Sequence, residues 1–160
     1  MRAPRRLPWR LFPSSALCLL LVAGLALAEA PARRVLIAVE TSNFKTAVAT
    51  RVAEALRHDG YAVTTIKLDR LTTDDVPAYQ AIVVINTCRA WRPSSALRKF
   101  LKGLDDTSRK KVVVLTTADS EECALRTTGI DAISSASRES KIDGVTQTLL
   151  EKVRTRLAPP

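Results

Sequence analysis

The chain has 160 residues, with 25 Lys and Arg against 16 Asp and Glu, a formal charge of +9. That length suits one domain, and five glycines with 4% aromatic residues argue against an all-β sandwich. The basic charge is spread out and carries no basic–aromatic motif. It therefore points away from nucleic acid and toward an anionic lipid surface or polymer.

In chain order, Arg2, Arg5, Arg6 and Arg10 come first, then an apolar run from Ala16 to Ala28 that ends in Ala26-Leu27-Ala28. Basic, apolar, then small-x-small is the pattern of a secretory signal. The run is shorter than the roughly 20 residues needed to span a bilayer. Residues 1–28 are therefore predicted to be a signal peptide cleaved after Ala28. Ala28-Glu29-Ala30 is a second small-x-small site that Pro31 would follow, and a retained N-terminal anchor is the competing reading. Cys18 lacks the small-residue lead-in of a lipoprotein site and reads as signal filler. Loss of four arginines and no acid leaves +5. The expected location is periplasmic or secreted, with no stable membrane anchor after cleavage. Residues 29–34 form a short charged lead-in, 35–157 the folded domain, and Ala158-Pro159-Pro160 a tail.

Val35 to Val39 is a branched apolar run, as in a strand buried on both faces. The polar loop Glu40 to Lys45 leads to a helix over Thr46 to His58, with Val48, Val52, Ala55 and Leu56 at helical spacing and Gly60 as its terminator. Tyr61 to Leu68 has the mixed character of an edge strand. Asp69 to Gln80 is a connector with turn signals at Asp74, Asp75 and Pro77. Ala81 to Ile85 is a second core strand, and Asn86 to Pro93 a loop. Ser94 or Ser95 caps a helix striped by Leu97, Phe100, Leu101 and Leu104. Val112 to Leu115 is a third core strand, Asp119 to Thr128 a polar connector, and Ile130 to Ser135 a last strand. Ile142, Val145, Leu149, Val153 and Leu157 stripe a final helix. Such alternation predicts an α/β/α sandwich around a five-stranded parallel sheet of order 2-1-3-4-5. Ligands would bind at the carboxyl ends of its strands, at the topological switch point.

Three stretches resemble the flavodoxin-like superfamily: Val35 to Gly60; Tyr79 to Val84 with Trp91 and Leu97-Arg98-Lys99-Phe100-Leu101; and Lys110 to Leu115. The resemblance implies an FMN-type cofactor and electron transfer with a redox partner protein. It places the flavin phosphate at Ser42, Asn43, Lys45 and Thr46, with Asn86 and Trp91 at the loop that follows the second core strand. The T-G-N-T phosphate loop of flavodoxins is replaced by Ser42-Asn43-Phe44-Lys45. Asn43, tolerant of positive φ, stands where a glycine closes on the phosphate. A capped helix start with a solvated lysine is the other reading of the same residues. The loop after the third core strand also lacks the usual glycines and aromatics. A cofactor-free binding or scaffold module, with an envelope protein as partner, is the alternative function.

Trp91 would stack on a flat ligand or fold over the adjacent helix, and Arg89 and Arg92 beside it would meet an anion. Cys88 follows the second core strand and Cys123 lies past the third. These strands would be neighbours about 5 Å apart, so a disulfide is geometrically open and suits an oxidising compartment. Two free thiols and a redox-active pair are the alternatives. Asp131-Ala132-Ile133-Ser134-Ser135-Ala136-Ser137 resembles the D-A-[IV]-S-G-A-T signature of exported FMN-binding domains. That resemblance implies covalent FMN on Ser137. Otherwise the stretch is a strand end, with Ser137 or Ser140 capping the last helix. Two cysteines and His58 make a poor zinc site. No Ser-His-Asp set is credible, and Asp119, Glu121 and Glu122 read as a solvated turn.

Overall fold

The branched apolar runs become the centre of the sheet. In the computed structural model, described over residues 33–90, 92–118 and 130–158, β1 spans Arg34–Val39 and buries Val35 to Ala38. Helix α1, Asn43–His58, turns Phe44, Val48, Val52 and Leu56 inward at four-residue spacing. It starts at Asn43 rather than at the expected Thr46, because the Ser42 hydroxyl accepts from the Lys45 amide and caps it there. Gly60, at φ 85°, takes the left-handed turn that ends it.

Strand β2 (Ala62–Lys67) has no fully buried residue, as suits a sheet edge. Two 3-10 turns follow, Leu68–Arg70 and Thr73–Ala78. The second is held by the Asp75 carboxylate, which accepts from the Thr72 amide (2.8 Å) and hydroxyl (2.9 Å). Next come β3 (Ala81–Arg89), β4 (Arg92–Pro93), α2 (Ser95–Lys102), the one-turn α3 (Asp106–Arg109) and β5 (Val112–Ala118). Then β6 (Asp131–Ala136) and a 3-10 turn lead into α4 (Ile142–Leu157).

The sheet order is β2-β1-β3-β5-β6, with the long strands all parallel. The five long strands thus stand in the expected arrangement. The numbering differs because β4 folds back antiparallel on β3. Asn86 to Arg89 and Arg92-Pro93 are accordingly paired strand rather than loop. Asn86 and Thr87 continue the ladder with Thr116 and Thr117, and Cys88 and Arg89 pair with Pro93 and Arg92. Alternate strand residues feed two cores. Val35, Ile37, Val83, Ile85, Val113 and Leu115 pack under α1 and α4. Leu36, Ile82, Val84, Val112 and Val114 pack under α2 and the 3-10 turns. Truncating a buried residue such as Leu36 or Leu115 to alanine would cost about 2–5 kcal/mol.

Ser94, not Ser95, caps α2, its hydroxyl accepting from the Leu97 amide. Helix α4 starts after Lys141 with no side-chain cap, so neither Ser137 nor Ser140 serves as one. Residues 1–32, which include the expected signal, Trp91, residues 119–129 with Cys123, and the last two residues lie outside the described residues. Among the described residues no helix is long and apolar enough to cross a membrane.

Candidate functional site

The crossover from β1 runs through α1 on one face of the sheet, and that from β3 runs through α2 on the other. The chains diverge at the carboxyl ends of β1 and β3, which opens a crevice there.

Only Glu40, Thr41 and Ser42 separate β1 from α1. The Glu40 amide donates to the Ile85 carbonyl (2.9 Å), and its carboxylate accepts from the Thr87 amide (2.8 Å). Lys45 is 5% exposed. Its ammonium donates to the Thr87 hydroxyl at 2.5 Å. Burial drives the Lys45 pKa below its ordinary value; Glu40 works against this, and Arg89 adds to the lowering. Glu40, Thr87 and Lys45 thus tie the ends of β1 and β3 to the first turn of α1. The sequence places Glu40 and Lys45 in one polar loop. It holds no sign of Thr87, which strand register alone brings between them.

The other candidates scatter. Asn43 is the first residue of α1, and among the described residues the one non-glycine at positive φ is Ala90 (47°). The expected left-handed turn at Asn43 is absent. Ser42, Asn43 and Thr46 line an open cleft of about 580 Å³ along the outer side of α1 with Arg51 and Glu54. Lys45 points away from it, into the domain.

Asn86 is fully buried. Its Nδ2 donates to the Leu115 carbonyl (3.2 Å) and the Thr116 hydroxyl (3.0 Å), while its Oδ1 accepts from the Ser94 amide (3.3 Å). It clamps two strands to the cap of α2 and presents nothing to a ligand. Ser137 is exposed just past β6, its amide donating to the Ala118 carbonyl at 3.1 Å. Cys88 is half-buried near the end of β3. Asp131, at the opposite end of β6, is held below the usual carboxylate range mainly by a hydrogen bond from Lys152, with Arg156 adding to it. Among the described residues no group of three His, Cys, Asp or Glu residues could hold a metal.

Two further clefts flank Glu40. One, about 420 Å³, lies among Val39–Thr41, Lys67–Asp69 and the start of α2. The other, about 380 Å³, is walled by Thr87, Ser94 and Ser95 and by Arg89, Arg92 and Arg98. The convergence of Arg98 with the other two arginines has no signal in their spacing.

A flavin phosphate at the β1–α1 loop would need free donors there. The Ser42 hydroxyl is engaged with the Lys45 amide, the Lys45 ammonium is buried on Thr87, and the Glu40 carboxylate opens the loop. The amides of Asn43 and Phe44 at the start of α1 are the donors left for an anion, while the buried Lys45 and the Glu40 carboxylate make the loop unlike an open phosphate cradle.

No family model matches the sequence, and no curated protein matches it. Solved structures do. A flavodoxin from the domain Archaea superposes with a TM-score of 0.56 at 12% identity, covering 79% of this chain and 99% of that one. Flavodoxin 2 from Bacillus cereus gives 0.55 at 14%, covering 76% and 99%. A flavo di-iron protein from Thermotoga maritima, solved as a point mutant, gives 0.57 at 14%, covering 79% of this chain but 36% of that protein. The chain is thus an α/β protein of flavodoxin-like fold. It matches flavodoxins over nearly their whole length and flavodiiron proteins over about a third.

Proposed function

We propose that this chain is an exported flavodoxin-like binding module that does not hold FMN in the flavodoxin manner. One observation carries the reading: at the β1–α1 loop, Lys45 and Glu40 are both engaged with Thr87, where a phosphate would need them open or absent. A fold accommodates many functions, and the site decides among them. Here the site keeps the crevice and has lost the cradle.

Export rests on the basic, apolar and small-x-small order of residues 1–28. The expected product begins at Glu29 in the periplasm or outside the cell, and its partner is an envelope protein. In that oxidising compartment Cys88 and Cys123 form a disulfide. N-terminal sequencing of the protein recovered from fractionated cells tests the export. Full-length chain confined to the cytoplasm would overturn it.

The flavin question is tested by purifying the protein from a host able to flavinylate and reading its visible spectrum, then titrating it with FMN. A colourless protein that does not quench FMN fluorescence saturably is the expected result. Tight uptake of free FMN would refute the reading and restore electron transfer through a bound flavin.

A second reading has one observation in its favour. Ser137 stands exposed at the carboxyl end of β6, open to a modifying enzyme, within the stretch that resembles the exported FMN-binding signature. Flavin that survives acid precipitation and disappears in Ser137→Ala would establish that reading.

A further inference from the structure

The β3–β4 hairpin sets Arg89 directly opposite Arg92. Like charges facing each other across an antiparallel pair are destabilising. The hairpin also holds Ala90 at φ 47°, a conformation that disfavours a side chain. Arg98 joins them from α2, whose first turn contains no acid. All three arginines are exposed, and no acidic residue pairs with any of them among the described residues. They converge on the 380 Å³ cleft, where Glu40 is the one carboxylate among the described lining residues.

Some arginines elsewhere find acids, Arg51 with Asp143, Arg154 with Asp59 and Arg156 with Asp131, whereas here three without one line a single cleft. Among the described residues the cleft therefore gathers three positive charges that no acidic side chain pairs. Guanidinium groups bind carboxylates and phosphates through two parallel N–H bonds. Three on one wall match a dianion better than a monoanion. The hydroxyls of Thr87, Ser94 and Ser95 supply neutral partners around the same cleft.

We propose that Arg89, Arg92 and Arg98 form a binding site for a small phosphomonoester. The phosphate sits among the three guanidiniums, and a hydroxyl or amine of the ligand meets Glu40. The site shares Glu40 with the β1–α1 loop, but its three arginines stand on the β3–β4 hairpin and α2.

The test is calorimetric titration of the full protein with inorganic phosphate and with glycerol 1-phosphate at fixed ionic strength. Acetate and vesicles of phosphatidylglycerol serve as competing probes. Saturable binding of both phosphates is expected, with glycerol 1-phosphate the tighter. Arg89→Gln, Arg92→Gln and Arg98→Gln should each weaken it about tenfold, the loss of one charged hydrogen-bonded contact. Lys99→Gln removes the same charge from an exposed residue next to Arg98 that does not line the cleft, and should change affinity less than about twofold. Arg98→Lys keeps the charge without the planar fork and should weaken binding severalfold with the fold intact by circular dichroism.

Absence of saturable phosphate binding would overturn the site. Equal losses in Lys99→Gln and the arginine variants would reduce it to diffuse charge. Binding of vesicles without binding of either phosphate would make it a lipid surface, and acetate binding as tight as phosphate would exclude dianion selectivity. Flavin uptake is read by absorbance and fluorescence in phosphate-free buffer, so the two proposals fail separately.

Discussion

Replacing Asn86 by alanine tests whether this residue belongs to the framework or to a ligand site. The wild-type carboxamide donates to Leu115 and Thr116 and accepts from the Ser94 amide, all within a fully buried setting. Each such bond contributes about 1 kcal/mol net, and the orphaned Ser94 amide adds to the loss. Two of the three bonds exceed 3.1 Å, at the long end of the range, which holds the sum to about 3 kcal/mol. For a domain of this size that is a fall of about 10 °C in Tm. Urea unfolding followed by far-UV circular dichroism measures it, with the slope m unchanged between the two proteins. Asn86→Asp supplies a second arm. It keeps the size but buries a carboxylate against the Leu115 carbonyl, and should destabilise at least as much at neutral pH. A loss below about 1 kcal/mol in both variants, particularly with a change in ligand affinity, would refute the clamp.

Three more outcomes follow from the same geometry. Because the pKa of Lys45 is lowered in the folded state, the unfolded chain binds more protons between that value and the ordinary 10.5. Stability should therefore rise with pH across that window, and Lys45→Met should abolish the rise, as read by urea midpoints at several alkaline pH values. Asp131→Asn should lose about 1 kcal/mol at neutral pH, since Lys152 and Arg156 both grip a carboxylate that is 28% exposed. Its depressed pKa means that the advantage is present above the usual carboxylate range and disappears as pH falls through the folded value, so wild type and variant should converge in acid. Thiol titration of the denatured, unreduced mature protein should find no free thiol. Cys88→Ser together with Cys123→Ser should lower stability by about 3 kcal/mol.

The three central strands were legible because Val35 to Val39, Ala81 to Ile85 and Val112 to Leu115 are branched apolar runs with no competing period. Their ends were less so. The second run stops being apolar at Ile85, yet Asn86 and Thr87 stay in the ladder because β5 offers Thr116 and Thr117 in register. Pairing, not hydrophobicity, carries the strand onward. Lys45 resembles any solvated helix-start lysine until two strands and a helix meet around it. The hairpin at Ala90 was hidden for another reason: the sequence between β3 and β4 carries none of the Asn-Gly or Asp-Gly chemistry that marks a tight turn. The arginine cleft depends on that turn and so was hidden with it.

The parallel ladder also bears on how quickly the molecule can form. Val35 pairs with Ala81, Ile82 with Val112, and Arg34 with Ala62. No two neighbouring long strands are joined by a hairpin. Each contact waits on the closure of a long loop, which places the fold among the slower small domains. β1, an interior strand between β2 and β3, cannot be satisfied on both edges until β3 has been synthesised. If the proposed export holds, a chain still unfolded through that interval is thin enough to be threaded through a membrane channel, and its core would close only on the far side.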